Sequence, residues 1–211
     1  MMHQAESAAQ APSRIARLKR LILRLLNEHR VMTLATNRPD GWPQATTVGY
    51  VNDGFLLYCY VARNTQKYAN ILRDARVAIA IGSDAPRPLD VKGLSLAGMA
   101  SAVTDQDEFD AVGALRLKRY PEYADLPPPV LHEGALRRIS PQPSSDGVVL
   151  LRIAPEIISV LDYSKGFGHS DLVTFSERDL DVHVGSARHR WDVAAARAEA
   201  ERFWRRSPRE R

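Results

Sequence analysis

Short β-type segments follow one another along this chain, separated by turn signals, and this succession limits the fold more than any other feature. About six to eight segments are rich in Val, Ile, Thr and aromatic residues. The turn composition of 37–41 and the triplet Asn52-Asp53-Gly54 predict hairpins, so the first three strands are expected to form an antiparallel meander. The predicted strands are 31–36, 43–51, 55–61, 77–81, 92–103, 147–153, 156–163 and 172–175.

Helical patterns separate or flank these strands. Ser13 is placed to cap the first helix, and Thr104 followed by Asp107 has the form of a capping box before a later one. No GxGxxG motif follows the first strand, and there is no Walker-type loop. The fold class is therefore mainly β with helices (α+β), a closed antiparallel barrel with N- and C-terminal helices. The predicted helices are 15–26, 65–75, 104–120 and 189–206.

Two predicted strand regions contain residues that disturb a regular ladder. Gly93 and Gly98 lie inside the 92–103 strand, where glycine indicates a bulge, a barrel corner or close approach of a ligand. Pro155 separates the last two long β-type segments, which we interpret as a strand pair broken at that proline.

Composition shifts divide the chain into three parts. Residues 1–12 are predicted to be a disordered leader without the apolar stretch of a signal peptide. Residues 13–178 form the barrel domain with its N-terminal helix, including a proline-rich surface excursion at 121–147, and 179–211 form a C-terminal helical extension. With Cys59 as the only cysteine and no apolar run of membrane-spanning length, a cytoplasmic location is expected.

Basic residues are concentrated at the two ends of the chain. The net charge is +4 and the pI is about 9.4. The basic residues of the first and last helices have no interleaved aromatic residues in a binding pattern, which favours two solvated helix faces. We therefore expect no nucleic-acid partner and no membrane association.

The segment 58–71 carries the clearest functional signal. An aromatic strand ends at a polar turn, Thr65 is placed as a helix cap, and Lys67 falls in the first helical turn. A cation there opposes the helix dipole unless an anion lies between the ammonium and the first amides. The segment thus predicts a phosphate pocket at the exit of a strand and a phosphorylated cofactor. A surface lysine and a simple threonine cap are the alternatives.

Four segments in order resemble the pyridoxamine 5′-phosphate oxidase-related flavoproteins. Residues 30–50 resemble the opening hairpin of that family, and Thr65-Gln66-Lys67 resembles its Ser/Thr-x-Lys phosphate motif. Residues 74–80 and 98–103 resemble later strands of the family, the second its G-x-A strand. The resemblance implies a split β-barrel that forms a homodimer and binds FMN at the dimer interface.

Carried over by position, the resemblance implies a cofactor site drawn from four places in the chain. The second strand would run beside the ring and ribityl chain, and the third strand would end near the ribityl phosphate. The following helix would hold the phosphate, and the strand starting at residue 92 would approach the ring. For Tyr60, core packing is an equal alternative. The implied residues are Thr46, Thr47, Val48, Tyr60, Val61, Thr65, Gln66, Lys67, Lys92 and Gly93.

Three positions depart from the true pyridoxamine phosphate oxidases. Those enzymes have arginine where this chain has Gln66, a basic residue near Gln44 or Ala45, and a ring-facing glutamine where it has Gly93. Their C-terminal arginine-histidine motif is not evident either. The departures disfavour vitamin B6 oxidation and favour the broader FMN-binding class.

The glycine-flanked stretch 162–170 is a second unusual segment. A decorated hairpin turn is the favoured interpretation, and the alternative is a loop over the flavin in which Lys165 or His169 contacts substrate. Trp42 and Trp191 are candidates to cover the ring, the latter also near substrate. The histidines show no metal-ligand spacing, so no metal site is expected.

The function predicted from these features is FMN binding with flavin-dependent oxidation or reduction of a small molecule. The flavin would carry the chemistry, and Lys92 is the candidate donor at its N1–C2=O edge. No catalytic residue is assigned. The alternatives are a split-barrel protein that uses deazaflavin F420 or haem, and a flavin-binding or sensing module without turnover.

Overall fold

The computed structural model describes residues 13–82, 85–124, 147–176 and 179–186, together with two short paired strands at 130–131 and 135–136. The helices are α1 (Arg14–Glu28), α2 (Gln66–Arg73) and α3 (Gln106–Arg119). Short 3-10 turns occur at Pro88–Asp90, Pro121–Ala124 and Tyr163–Lys165. The strands are β1 (Val31–Asn37), β2 (Pro43–Gly49), β3 (Val51–Asp53), β4 (Leu56–Ala62), β5 (Arg76–Gly82), β6 (Lys92–Ala102), β7 (Val130–Leu131), β8 (Ala135–Leu136), β9 (Val148–Asp162), β10 (Ser170–Ser176) and β11 (Asp179–Ser186).

The antiparallel strand pairings run around the barrel from β2 to β3 and leave it open between these two strands. β1 lies between β2 and β5, β5 pairs with β6, and β6 pairs with β9. β9 pairs with β4, and β4 pairs with β3. β2 and β3 are not paired with each other, but only Tyr50 separates them along the chain, so the backbone itself turns the corner that completes the ring at that residue. This arrangement is an antiparallel split β-barrel of the α+β class.

The long strand β9 decides where the barrel splits. One of its edges pairs with β6, from Leu151 to Asp162. Its other edge pairs first with β4, through Val148–Ile153, and then with β10, through Ile157–Leu161. β10 and β11 therefore extend the sheet outside the ring.

The strand break predicted at Pro155 is wrong, because β9 continues through this residue. The pairing shifts register here: Ala97 faces Ile157, while Gly98 faces Pro155, so Glu156 is an extra residue in β9. A bulge tolerates a proline that a regular ladder would exclude. A Cβ added to Gly98 would lie 2.3 Å from the Ala154 carbonyl oxygen, so the glycine allows the close approach of two backbones.

The main core fills the barrel and includes one face of α1. Leu18, Ile22, Leu25 and Leu26 of this helix are buried in it. The Ser13 side chain accepts a hydrogen bond from the Ala16 amide, which confirms the predicted N-cap. At the other end of α1, the Leu26 carbonyl accepts the Tyr50 hydroxyl at 2.8 Å and so ties the helix to the barrel corner.

A second core lies between α3 and the outer face of β4. Tyr58, Phe109, Val112 and Tyr120 are buried there. The N-cap of α3 is Asp105, whose carboxylate accepts the Glu108 amide at 2.8 Å, and not the predicted Thr104.

The C-terminal region differs in part from the predicted helical extension that starts at residue 179. Residues Asp179–Ser186 form β11, which pairs with β10. The sequence Asp-Leu-Asp-Val-His-Val alternates polar and apolar residues, which is a strand pattern. The predicted helix 189–206, with Trp191, and the predicted leader 1–12 lie outside the described residues.

We expect the change Gly98→Ala to lower the free energy of unfolding by about 3 kcal/mol, because the new methyl group would meet backbone that cannot move without breaking the bulge. The matched control is Gly113→Ala in α3, where a Cβ meets nothing within 4 Å. That variant should be slightly more stable, by about 0.5–1 kcal/mol. Urea unfolding measures both, and equal stability of the two variants would contradict the account of the bulge.

Candidate functional site

The first turn of α2 presents backbone amides that the helix does not use. Its hydrogen bonds begin with the Tyr68 and Ala69 amides, which both donate to the Thr65 carbonyl at 3.1 Å. The amides of Gln66 and Lys67 precede the first intrahelical bond. Thr65 occupies the N-cap position, but its hydroxyl donates to the Ala62 carbonyl at 2.7 Å and does not cap an amide.

Lys67 is a cation without a counter-ion in the described part of the chain. Its side chain is half-buried, and no described carboxylate lies within 4.0 Å of it. Burial raises the pKa of the neighbouring Cys59 thiol to about 12, although the charge of Lys67 opposes this rise. Cys59 is therefore a core thiol, as predicted, and Lys67 leaves positive potential at the start of α2.

A buried amide network fixes the orientation of α2. Asn70 is 0% exposed and donates to Thr36 Oγ1 at 3.0 Å and to Gln44 Oε1 at 3.1 Å. Its own oxygen accepts Gln66 Nε2 at 2.8 Å. The network joins α2 to β1 and β2. Sequence reasoning missed Asn70 and Thr36, although the spacing of Gln66 and Asn70 is that of a helical side-chain pair.

β2 presents its two faces to different surroundings. Gln44, Thr46 and Val48 alternate with residues exposed on the other face, including Thr47. Thr46 Oγ1 is buried and has no hydrogen-bond partner. An unsatisfied buried hydroxyl costs about 1–3 kcal/mol, so a polar group that reached it would be stabilising.

The outer face of β2, β1, β5 and β6 carries small side chains in two rows. Pairing aligns Thr47 with Thr33, Thr33 with Ala80, and Ala80 with Ser95. A neighbouring row contains only alanine at four aligned positions, and it joins Ala45, Ala35, Ala78 and Ala97. In the described residues, β2 has a strand partner on one edge only, and Trp42 beside it is 72% exposed. The face thus carries only small side chains at these aligned positions and is bordered by an exposed aromatic ring.

Tyr60 and Val61, at the end of β4, belong to different cores. Val61 is buried inside the barrel. Tyr60 points outwards, where its ring packs edge-on to Phe109 with 6.1 Å between centroids and lies 4.7 Å from the Arg116 guanidinium. Burial raises the pKa of the Tyr60 hydroxyl. These contacts support the core-packing alternative for Tyr60.

Lys92 and Gly93 lie far from Lys67 within one chain. Ala62, just before α2, pairs with Val148 at the start of β9, whereas Lys92 pairs with Asp162 at its end. Lys92 Nζ lies 3.7 Å from Asp162 Oδ1. The structure therefore places the implied phosphate residues and the implied ring-edge residues at opposite ends of β9.

Lys165 and His169, predicted as substrate contacts, meet at a buried carboxylate. Asp171 is 1% exposed, and its Oδ2 lies 2.9 Å from Lys165 Nζ and 3.3 Å from His169 Nε2. The loop between β9 and β10 carries both side chains and turns through Gly166 and Gly168, whose φ angles are positive. The glycines thus support the predicted hairpin turn, while the two side chains join Asp171 in a polar cluster that sequence spacing did not reveal.

The comparisons with known proteins agree with this architecture. The family model described as pyridoxamine 5′-phosphate oxidase matches residues 18–159. No curated protein matches the chain in sequence. Within the described residues, no helix is long and apolar enough to cross a membrane.

Three similar solved structures come from bacteria. A pyridoxamine 5′-phosphate oxidase-like protein of Listeria innocua is 24% identical, with a TM-score of 0.51, over 69% of this chain and 98% of that protein. A conserved hypothetical protein of Mycobacterium tuberculosis is 26% identical, with a TM-score of 0.54, over 76% and 91%. The haem storage protein of Vibrio cholerae is 20% identical, with a TM-score of 0.50, over 68% and 92%.

We expect Asn70→Ala to destabilise the fold by about 2 kcal/mol, because the buried hydroxyl of Thr36 and the side chains of Gln44 and Gln66 would lose their shared partner. Asn64→Ala is the control, since Asn64 is exposed in the preceding turn. Urea unfolding compares them, and a cost for Asn70→Ala no larger than that for Asn64→Ala would contradict the anchoring role.

Proposed function

The chain belongs to the pyridoxamine 5′-phosphate oxidase family, and from this we propose that it binds FMN with the cofactor phosphate at the first turn of α2. The observation that carries the proposal is Lys67, a half-buried cation with no described carboxylate beside it, next to two amides that precede the first helical bond. A phosphate dianion supplies what this arrangement lacks, because it accepts from amides and compensates the ammonium.

The residues near α2 fit a phosphate better than an organic cation or a metal ion. The amides of Gln66 and Lys67 and the ammonium of Lys67 are all donors, and the Thr65 hydroxyl is adjacent. The buried, unpartnered hydroxyl of Thr46 is a further donor on β2. The Asn70 network would keep this donor set in place before the cofactor arrives.

We further propose that the flavin lies between two copies of the chain, on the face of small side chains around Thr47 and Thr33. Small residues leave a flat surface for a ring system, and β2 offers an edge without a described strand partner. Because Lys67 and Lys92 lie at opposite ends of β9, a single cofactor could contact both only if they came from different chains. Lys92 and Gly93 would then be the partner's contribution near the ring.

When bound, FMN would supply hydride or electron transfer, which makes a flavin-dependent oxidoreductase of small molecules the proposed activity. The role of this chain is to bind and orient. Lys92 keeps a fixed position because Asp162 lies 3.7 Å from its ammonium, and it is proposed as the donor at the N1–C2=O edge.

Vitamin B6 oxidation is not proposed. Gln66 stands where the true oxidases have arginine, and its side-chain amide donates a hydrogen bond to Asn70 Oδ1. Deazaflavin F420 and haem are the alternative cofactors, and a similar structure is that of a haem storage protein. A flavin-sensing module without turnover is the remaining alternative, and a cytoplasmic location stays a prediction.

Optical spectra of the purified protein separate these alternatives. A flavin spectrum that is released on denaturation supports the proposal, and a Soret band supports haem. A colourless protein that also fails to bind added FMN would exclude the proposed FMN binding. Turnover of NAD(P)H with an acceptor would distinguish an enzyme from a sensor.

We expect Lys67→Ala to weaken FMN binding by about 10- to 100-fold, because one charge-assisted contact to the phosphate contributes about 1.5–3 kcal/mol. Quenching of flavin fluorescence on titration measures the Kd. Lys118→Ala, at an exposed lysine of α3, is the control and should bind as the wild type does. A wild-type Kd in Lys67→Ala would show that the phosphate lies elsewhere.

We expect Ala80→Arg to convert a dimer into a monomer, because a long charged side chain would stand in the middle of the small-residue face. Ala114→Arg, on the exposed side of α3, should leave the dimer intact. Light scattering coupled to size-exclusion chromatography gives the mass of each. A monomeric wild type, or a dimeric Ala80→Arg variant, would argue against this interface.

A further inference from the structure

A second, separate cleft lies between the first two turns of α1 and the loop that joins β9 to β10. It has a volume of about 380 Å³ and is lined by Arg14, Arg17, Leu18, Leu21, Asp162, Lys165, His169 and Asp171. We propose that this cleft binds a small organic phosphate, with the phosphate held by the cations and an apolar body against the leucines.

Two buried aspartates hold the cations of the cleft in position. Asp171 Oδ1 lies 2.7 Å from the Arg14 guanidinium, and Asp171 Oδ2 lies 2.9 Å from Lys165 Nζ. Asp162 accepts the Ser164 hydroxyl at 2.6 Å and lies 3.8 Å from Lys165 Nζ. Burial raises the pKa of Asp162, but the Ser164 hydrogen bond and the lysine charges outweigh this and keep it below its ordinary value. Both aspartates therefore act as fixed anchors.

The cations exceed the carboxylates in this cluster. Arg14, Arg17 and Lys165 carry three positive charges against the two of Asp162 and Asp171, a difference of +1 with His169 neutral. A phosphate monoester carries a charge close to −2 at neutral pH and is therefore attracted by this excess.

Arg17 contributes the charge that is least compensated. Its side chain is exposed and lines the cleft, and it forms no ion pair with a described carboxylate. The first turn of α1 contains no acidic residue, so the helix dipole adds to the positive potential. A guanidinium in this position can bind phosphate through two parallel hydrogen bonds.

The apolar side chains of α1 that line the cleft favour ligands with an apolar group beside the phosphate. Leu18 is buried and Leu21 half-buried along the same side of α1. The volume falls within the range of small-molecule sites, which is about 300–1,000 Å³. A compact apolar group attached to the phosphate would therefore bind better than phosphate alone.

This cleft is distinct from the proposed FMN phosphate site at α2. Asp162 ends β9, whereas the start of α2 follows the strand that pairs with the beginning of β9. The inference rests on the cleft alone and stands whether or not the chain binds FMN.

Calorimetric titration at constant ionic strength tests the proposal with four probes: phenyl phosphate, inorganic phosphate, benzoate and phenol. Phenyl phosphate should bind most tightly, inorganic phosphate and benzoate more weakly, and phenol not measurably. Tighter binding of benzoate would make the ligand a carboxylate and overturn the phosphate assignment. Equal binding of phenol and phenyl phosphate would overturn the role of the cations.

Three variants locate the binding. Arg17→Gln removes an arginine that has no described ion pair, so the fold should survive, and the Kd for phenyl phosphate should rise about tenfold. Arg20→Gln changes an exposed arginine of the same helix that does not line the cleft, and it should leave the Kd within about twofold. Lys67→Gln should retain the phenyl phosphate binding that Arg17→Gln loses. Loss of binding in Lys67→Gln but not in Arg17→Gln would place the probe at α2 and refute the second site.

Discussion

The barrel depends on one strand that pairs with three others. Among the described strands only β9 does so, with β6 along one edge and with β4 and then β10 along the other. The change of partner is possible because the bulge at Pro155 and Glu156 turns the strand. Gly98 lets the opposite backbone approach that bulge. Without this bend, β9 could not both close the ring and support the extension that β10 begins.

The α2 site and the cleft beside α1 lie at the two ends of β9. At its start lies α2, which a neutral amide network centred on Asn70 attaches to β1 and β2, and no carboxylate of the described residues lies within 4.0 Å of Lys67. At its end, buried aspartates gather several cations around one cleft. The first arrangement uses uncharged anchors and the second uses charged ones, yet both leave donors in a fixed geometry. Preorganised donors of this kind are suited to anions.

Local sequence signals predicted correctly those features that depend only on residues close together in the sequence. The periodicity of α1, the Ser13 cap, the hairpin at Asn52-Asp53-Gly54 and the bulge glycine are all present. The predictions that were wrong concern strand pairing between residues that are far apart in the sequence. Pro155 looked like a strand end because a proline breaks a regular ladder, but tertiary pairing accommodates it in a bulge. β11 was missed because a two-residue alternation near the chain end was taken as part of a helical extension.

The sequence by itself determined the fold class, the family and the anion signal at Thr65-Gln66-Lys67, because hydrophobic period, turn residues and helix-cap positions are local properties. Only the tertiary structure decided that Lys92, Lys165 and His169 share one charged cluster, far from Lys67. The proximity of these three side chains depends on the register of β9 against β6 and β10 and on the packing of α1 against the barrel. Register is fixed by the packing of the whole core, and no local pattern of residues contains that information.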